Sequence, residues 1–461
     1  MPHPQHLRSP EDYLAELLGA LTPLEASTVP LAQAHGLVLA QDLTAALAVP
    51  PWTNSAMDGY AVRAAETAGA GKAPVVLPVS GDAPAGAAPG ALAPGTAVRI
   101  MTGAVLPEGA DAVVKVEDTD QRPGQAPLPQ AVEIRAEARV GLNVRYAGEN
   151  VSVGSPVMRA GTVLSAAALS TLAAVGRAAV LAHPRPRVAV VSTGAELVDP
   201  GTALTPGAVP DSNGLLLAGL LTEHGAQSVR VLRAGDSAAE LARVLREAAA
   251  GADLVLTSGG VSAGAFDPLT MLAASAEHGR DASLSFTKVA MQPGKPQGRG
   301  TLRTEDGRGV PVIMLPGNPV SVLVSFTVFV APALAVLAGH GAAAATAALA
   351  PARARAAVGW RPAGPRRQYV PVRLVAGPRD AQAAAVGATA QRPGPKHPVP
   401  WVEPVHRLGS GSHLVASLQA AQALAVVEAH TPSVEAGQEV GLLPLSRPAA
   451  ALHLPPPRPL S

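Results

Sequence analysis

The sequence contains no cysteine, which excludes disulfides, thiolate metal centres, iron-sulfur ligation and a cysteine nucleophile. If sulfur meets a metal in this protein, a ligand has to bring it. An excess of charge of one sign is also lacking. The 35 basic residues face 34 acidic ones, for a formal net charge of +1, so no uniform field gathers nucleic acid and any anion site must be local. Met1 to Pro10 lacks the apolar core of a signal peptide, and Glu11 and Asp12 follow at once, so a cytoplasmic protein is expected. The 12 histidines show no His-Glu-x-x-His or comparable metal spacing. No Walker A loop surrounds Lys295, because no Gly stands five residues before Gly294. There is no internal repeat. One stretch, Val320 to Gly339, approaches the length and apolarity of a membrane span. It carries Ser321, Ser325, Thr327 and Pro332 without flanking Lys or Arg, so it reads as a buried helix, with no membrane partner.

What is present is a chain of 461 residues, longer than one hydrophobic core usually organises. Its 46 Gly and 46 Pro would suit disorder, but 48% hydrophobic residues in long Val/Leu/Ile runs favour packed domains. A short amphipathic helix opens the chain. Residues 51–145 then show Gly/Pro turns between short Val-rich runs such as Pro74 to Val79 and Ala97 to Met101, which predicts β structure. From Arg187 apolar strands alternate with helical segments, the pattern of a doubly wound parallel sheet. The strands are expected at Val188 to Val191, Val229 to Leu232, Leu254 to Thr257 and Val312 to Leu315. Ser237 and Glu240 have capping-box spacing, and Asp267-Pro268 and Asn318-Pro319 each offer an N-cap before a first-turn proline. Period-two runs, Gln368 to Leu374 and Leu424 to Val427, predict a small β domain after an Ala-rich link. The resulting divisions are 9–50 with 146–180 as an elongated connecting domain, 51–145 as an inserted β domain, 181–338 as the α/β domain, 339–446 as the C-terminal β domain, and 447–461 as a Pro-rich disordered tail.

In an open parallel sheet, ligands bind outside the carboxyl ends of the strands. Here those ends lead into Ser192-Thr193-Gly194-Ala195-Glu196, Gly235-Asp236-Ser237, Ser258-Gly259-Gly260-Val261-Ser262 and Pro316-Gly317-Asn318-Pro319. Glycine lets backbone amides approach a ligand and helix N-termini favour oxyanions, so this edge suits a phosphate-bearing ligand. The candidate binding residues are Ser192, Thr193, Gly194, Asp211, Ser258, Gly259, Gly260, Ser262, Lys295, Pro316, Gly317 and Asn318. The edge also collects Glu196, Asp211, Asp236 and Asp267, which repel phosphate unless a divalent cation such as Mg²⁺ intervenes or the carboxylates accept hydrogen bonds from an amino-heterocycle. Lys288 and Lys295 add positive charge in a chain whose basic residues are mostly Arg. Each residue has a plainer reading. Asp211 and Asp267 suit helix caps, Asp236 precedes the cap Ser237, Glu196 suits a solvated loop, and the glycines suit tight turns. Spacing alone supports an anion-binding α/β domain.

The combination of motifs is more specific. Ser55-Ala56-Met57-Asp58-Gly59-Tyr60, Met101-Thr102-Gly103-Ala104, Gly109-Ala110-Asp111-Ala112-Val113-Val114, Ser192 to Leu197, Asp211-Ser212-Asn213, Gly259 to Gly264 and Leu315-Pro316-Gly317-Asn318-Pro319-Val320-Ser321 occur in this order. Together they resemble the MoeA and gephyrin E-domain family over roughly residues 10–445. The resemblance implies a multidomain α/β fold with a molybdopterin-binding domain, a β-rich insert, a connecting domain and a small C-terminal β-barrel-like domain, assembled as an elongated homodimer. It implies that molybdate and adenylyl-molybdopterin, with Mg²⁺, give molybdenum cofactor and AMP. The family's functional residues carry over onto Asp58, Thr102, Glu196, Asp236, Asp267, Lys288 and Ser412. Glu196, Asp236 and Asp267 are the expected metal or pterin ligands, Lys288 the oxyanion charge, and Asp58 and Thr102 the partner subunit's contribution. An adenylyltransferase of the same pathway is an expected partner.

Three positions depart from the family pattern. Asn150 stands where a carboxylate is common, Gln292 where a Lys is frequent, and Ala195 where an acid is frequent, which removes one potential metal ligand. Two other readings remain open at this point. A molybdopterin adenylyltransferase would be expected to carry a Thr-Gly-Gly-Thr-Gly loop, where this chain has Thr257-Ser258-Gly259-Gly260-Val261. A non-catalytic scaffold of the same fold would leave the acidic loops without a purpose.

Overall fold

The structure, a computed structural model, describes residues 7–124, 126–261, 267–275, 281–377, 399–406 and 411–445. Ser262 and the 447–461 tail lie outside them. The chain divides into two units. One holds residues up to Ser27, Gly36–Ala40 and everything from Ala182 onward, and the other holds Thr28–His35 and Gln41–Leu181.

In the larger unit, β1 (Arg187–Thr193), β2 (Ser228–Ala234), β3 (Leu254–Ser258), β4 (Ala282–Lys288), β5 (Pro296–Arg303) and β6 (Gly309–Leu315) form one sheet in the order β2-β1-β3-β6-β5-β4. The first four in that order are parallel and contain the four strands expected from the hydrophobic runs. β4 and β5 make the sheet mixed rather than purely parallel, since β5 runs antiparallel to both β6 and β4. Connection length explains the reversal. Only Val289 to Lys295 separates β4 from β5, too short for the crossover that parallel pairing needs.

Both sheet faces are covered, as parallel strands require. Val188, Val190, Leu254, Leu256, Ile313 and Leu315 point into one core with α1 (Asn213–Glu223) and Phe326 and Phe329. Ala189, Val191, Val255, Val312 and Met314 point into the other with α2 (Ala238–Ala250) and α3 (Pro268–Ala274). Each fully buried leucine in these clusters contributes about 1.5–3 kcal/mol. The apolar stretch flagged in the sequence is α4 (Pro319–Leu337), long and apolar enough to cross a membrane but with 83% of its most apolar window buried inside the protein. Phe326–Val330 is a π turn. Pro332 follows at once, and its ring and missing N–H disfavour a regular α turn there.

The amphipathic helix expected at the start of the chain is Pro10–Gly19, and Ser9 caps it, its Oγ accepting from Asp12 N at 3.0 Å. Its apolar face, Tyr13, Leu14, Leu17 and Leu18, packs into the first core of the α/β unit. Tyr13 Oη donates to Gly298 O at 3.0 Å, and its ring meets Phe329 edge-on at 4.9 Å. Burial pushes the Tyr13 phenol well above its ordinary pKa, with Arg299 opposing. The 9–50 segment is therefore divided, with its first helix belonging to the larger unit.

The same unit carries a closed β-barrel. Arg367–Val375 pairs with Trp401–Pro404, then come Ala352–Ala356, Glu439–Pro444 and Ala423–Val427, which returns to Arg367–Val375. Ala354, Val370, Val372, Val402, Ala425 and Leu442 fill its interior. In the smaller unit, Ala112–Lys115, Gly59–Val62, Ala97–Ile100, Val75–Ala83 and Ala131–Ile134 form a five-stranded sheet in that order. Tyr60, Val62 and Val114 pack in one cluster of this sheet and Ala61, Val98 and Val113 in another.

At the amino edge of the α/β sheet, Arg187 clamps Asp253. Its backbone N and Nε reach Oδ2 at 2.8 and 3.0 Å, and Nη2 reaches Oδ1 at 2.7 Å. Burial opposes ionisation of Asp253, but the Arg187 hydrogen bonds and the Arg187 and Arg308 charges outweigh it and hold the pKa below its usual value. A depressed carboxylate pKa adds stability above the unfolded value near 3.9 and loses it as pH falls through the folded value. Asp253→Asn should therefore cost about 1–2 kcal/mol at neutral pH. That difference should shrink only below about pH 4, which denaturant titrations at a series of pH values will read. A gap between parent and variant that is constant down to acid pH would assign the loss to packing instead.

Candidate active site at the carboxyl edge of the sheet

The parallel register sets the position of the site. Thr193 pairs with Ala234, Ser192 with Ser258 and Ser258 with Leu315, so the four parallel strands end at one edge. Strand order reverses between β2-β1 and β3-β6, which opens a crevice there. A cavity of about 950 Å³ occupies this edge. Of the expected residues, Thr193, Gly194, Glu196, Asp211, Asp236, Ser258, Gly259, Gly260, Asp267, Pro316, Gly317 and Asn318 line it.

The loops are fixed by contacts that require their residue types. Gly194 has φ +142, and a Cβ on it would lie 2.4 Å from Glu196 Oε2. A side chain there is excluded by the backbone, and the Glu196 carboxylate folds over the bare glycine. Gly259 has φ +94, and its Cβ would lie 2.8 Å from Thr193 O, so this glycine is required by packing whether or not a ligand approaches. Ala195 N donates to Asp236 Oδ1 at 3.2 Å, tying the β1 loop to the β2 loop. Asp211 takes its plainer role too, because its Oδ1 accepts from Gly214 N at 3.0 Å in the first turn of α1. Ser237 Oγ caps α2 through Glu240 N at 3.2 Å. Asp267 and Asn318 precede first-turn prolines as expected, but neither side chain makes a capping bond. Asp267 is buried in the cavity wall.

Other expected residues lie elsewhere. Ser192 is sealed inside the sheet and does not reach the cavity wall. Lys288 and Lys295 are absent from that wall, although Pro296, next to Lys295, belongs to it. Ser412 holds the α4 start: its Oγ accepts from Asn318 Nδ2 at 3.1 Å and its carbonyl from Val320 N at 3.1 Å. In the smaller unit, Asp58 and Thr102 are exposed and joined, with Thr102 N donating to Asp58 Oδ1 at 2.6 Å. Gly103 N to Ser55 O and Ser55 N to Ala104 O, at 2.8 and 3.0 Å, bind these two motifs into one local structure.

Three features escaped the sequence reading. Asn213 Nδ2 donates to Ser258 Oγ at 2.8 Å and to Gly317 O at 2.6 Å, bridging the start of α1 to the loops after β3 and β6. The Asp211-Ser212-Asn213 motif marked the place but not the role. His413 lines the cavity beside Val415, with no signal beyond its adjacency to Ser412. Arg366 donates from Nη2 to Gln292 Oε1 at 2.5 Å and from Nη1 to Met291 O at 3.0 Å, so a guanidinium stands against the position where the expected lysine is missing. Burial lowers the Arg366 pKa.

Four carboxylates and one imidazole give the cavity wall an acidic character. Among the described residues, no three His, Asp or Glu side chains are grouped closely enough to hold a metal ion by themselves. The arrangement therefore suits a ligand that brings hydrogen-bond donors, or a cation together with its own oxygen ligands.

Comparisons with known proteins agree with this arrangement. The MoeA N-terminal region (domains I and II) matches residues 8–176, a probable molybdopterin binding domain matches 189–336, and the MoeA C-terminal region (domain IV) matches 395–445. The chain is 45% identical to molybdopterin molybdenumtransferase 2 of Mycobacterium tuberculosis over 329 residues, 71% of this chain and 78% of that protein. It is 37% identical to molybdopterin molybdenumtransferase of a Nostoc species over 314 residues, 68% of this chain and 69% of that protein. A crystal structure of a molybdopterin biosynthesis MoeA protein from Pyrococcus horikosii aligns with a TM-score of 0.74 at 29% identity, covering 96% of this chain and 100% of that one.

The Arg366 contact makes Gln292 testable. Gln292→Lys loses the acceptor and sets two cations together, which should lower stability by about 1 kcal/mol at low ionic strength. The loss should diminish with added salt. Thermal midpoints measured at low and high salt decide it, and parental midpoints under both conditions would mean that Arg366 does not depend on Gln292.

Proposed function

The chain belongs to the MoeA family of molybdopterin molybdenumtransferases and is a transferase of molybdenum cofactor biosynthesis, and we propose that its carboxyl-edge cavity receives adenylyl-molybdopterin. Molybdate is the second substrate, and molybdenum cofactor and AMP are the products. The observation that carries this reading is the acidic, glycine-walled cavity at the switch point of the sheet. The pterin's dithiolene supplies the sulfur ligands that a cysteine-free chain cannot.

Glu196, Asp236 and Asp267 fit a magnesium ion. Their oxygens are hard donors, and this ion takes one or two carboxylates with waters and substrate phosphate rather than a dedicated protein cage, so the lack of a three-residue cluster among the described residues is no obstacle. When bound, it would neutralise phosphate charge beside those carboxylates. Asp236, with Oδ1 engaged by Ala195 N, keeps its other oxygen for pterin donors or the ion. Lys288 and Lys295 stabilise oxyanion charge as AMP leaves. The protein acts in the cytoplasm as a homodimer in which Asp58 and Thr102 of the partner subunit serve the reaction, and it receives its adenylylated substrate from the pathway's adenylyltransferase. These last assignments are supported by the family resemblance.

Incubation with adenylyl-molybdopterin, molybdate and Mg²⁺ should release AMP, and release should require both molybdate and a divalent cation. Undiminished release in chelator without molybdate would refute the chemistry. The adenylyltransferase alternative predicts instead that ATP is consumed by unadenylylated molybdopterin.

The dimer assignment has its own test. Asp58→Ala and Asp267→Ala homodimers should each be nearly inactive. Mixed dimers place both changes in one site and neither in the other, so random exchange of equal amounts should restore about one quarter of parental activity. Both variants are first shown to be folded and able to exchange. A mixture no more active than its components would then rule out a contribution in trans.

A further inference from the structure

Pro293, Gly294, Lys295 and Pro296 form the turn between β4 and β5, and its position is set from inside the protein. Gln297, the next residue, is completely buried. Its Nε2 donates to Gly294 O at 2.8 Å and to Ser325 Oγ at 2.6 Å. Ser325 lies in α4 immediately before the π turn. One amide thus fastens the turn to the core helix. The turn is pressed against that fastening. Gly294 has φ +100, and a Cβ on it would lie 3.1 Å from Ser325 Oγ and 3.3 Å from Gln297 Nε2. The two lysines flank the fastened point, with Lys295 O accepting from Val289 N at 2.8 Å and Lys288 paired with Pro296 across the strands. The acceptor half of the Gln297 amide, Oε1, is buried and receives no hydrogen bond from the described residues. An amide kept in a core with half its capacity unused breaks the usual rule for buried polar groups. It serves here through its donor half.

We propose that Gln297 is a positioning residue, fixing the Pro293 to Pro296 turn and with it the lysine charges that meet a tetrahedral oxyanion. The inference rests on the reading of Lys288 and Lys295 as oxyanion-binding groups. The oxyanion is molybdate or the substrate's phosphate. Titrating each substrate at saturation of the other separates the two.

The test compares Gln297→Met, Lys295→Gln, the double variant, and Asp253→Asn as a stability control at the opposite sheet edge, all as full-length protein. Gln297→Met should raise KM for one substrate about tenfold with kcat within about twofold. That effect should shrink clearly in the Lys295→Gln background, where only Lys288 is left to be displaced, because residues acting through one another are not additive. Asp253→Asn should leave KM unchanged. Parental KM values in Gln297→Met beside an impaired Lys295→Gln would overturn the inference. So would a Gln297→Met effect that adds in full to Lys295→Gln, or one matched by Asp253→Asn. A Lys295→Gln enzyme with parental kinetics would overturn the lysine assignment itself and the inference with it. Should Gln297→Met fail to fold, Gln297→Asn, one methylene too short to span the same contacts, takes its place with the same outcomes.

Discussion

Parallel pairing in register is the constraint on which the rest of the structure depends. Because β1, β2, β3 and β6 run the same way and pair residue for residue, each must discharge its loop at the same edge. The central strands β1 and β3 must also be buried on both faces by the returning helices, while β2 at the sheet's edge stays largely exposed. The site follows from that geometry. Four loops with no sequence proximity meet over the crevice between β1 and β3, and Asn213 and the Ala195–Asp236 contact tie them together. The antiparallel β4–β5 pair extends the sheet and brings its own turn, with Lys295, under the control of the same core through Gln297 and Ser325.

Electrostatics then selects among ligands. A glycine-walled edge with helix starts would favour a bare phosphate, but Glu196, Asp211, Asp236 and Asp267 oppose it. A pterin, rich in donors, and a phosphate accompanied by a divalent cation meet both conditions at once. A simple phosphate site would have no use for the acids, and a simple metal centre would show a tighter cluster than the described residues contain.

Much of this was legible in the sequence because the signals were local. β1, β3 and β6 are centred on apolar runs, β2 is recognisable from its valines and leucine although Arg230 and Arg233 stand among them, Ser237 is a cap within three residues of its partner, and the barrel strands alternate with period two. β5 was not legible. Pro-Gln-Gly-Arg-Gly-Thr-Leu-Arg has neither an apolar run nor a clean alternation, and its strand state is imposed by the neighbours on either side. The same limit hid Asn213, Arg366 and Gln297, since each has a partner far along the chain, Gly317 for Asn213, Gln292 for Arg366 and Ser325 for Gln297, at separations from 28 to 104 residues. It also misplaced Ser192. A serine at a strand's carboxyl end looks available to a ligand, yet the alternation of side chains turns this one into the core.

The plain and the functional readings of a residue turn out not to compete, because one side chain has more than one lone pair or donor. Asp211 caps α1 with Oδ1 and still lines the cavity. Asp236 spends one oxygen on Ala195 N, and Gly259 is demanded by Thr193 while forming the wall. Where the fold consumes a group, it is withdrawn from binding. The Val320 amide in the first turn of α4, a donor that an oxyanion would otherwise use, is already taken by Ser412 O. The capacity for chemistry at this edge is therefore what remains after the loops have satisfied one another. That remainder is mostly carboxylate oxygen, and the neighbouring turn that carries Lys295 is tied to the core by Gln297 and Ser325.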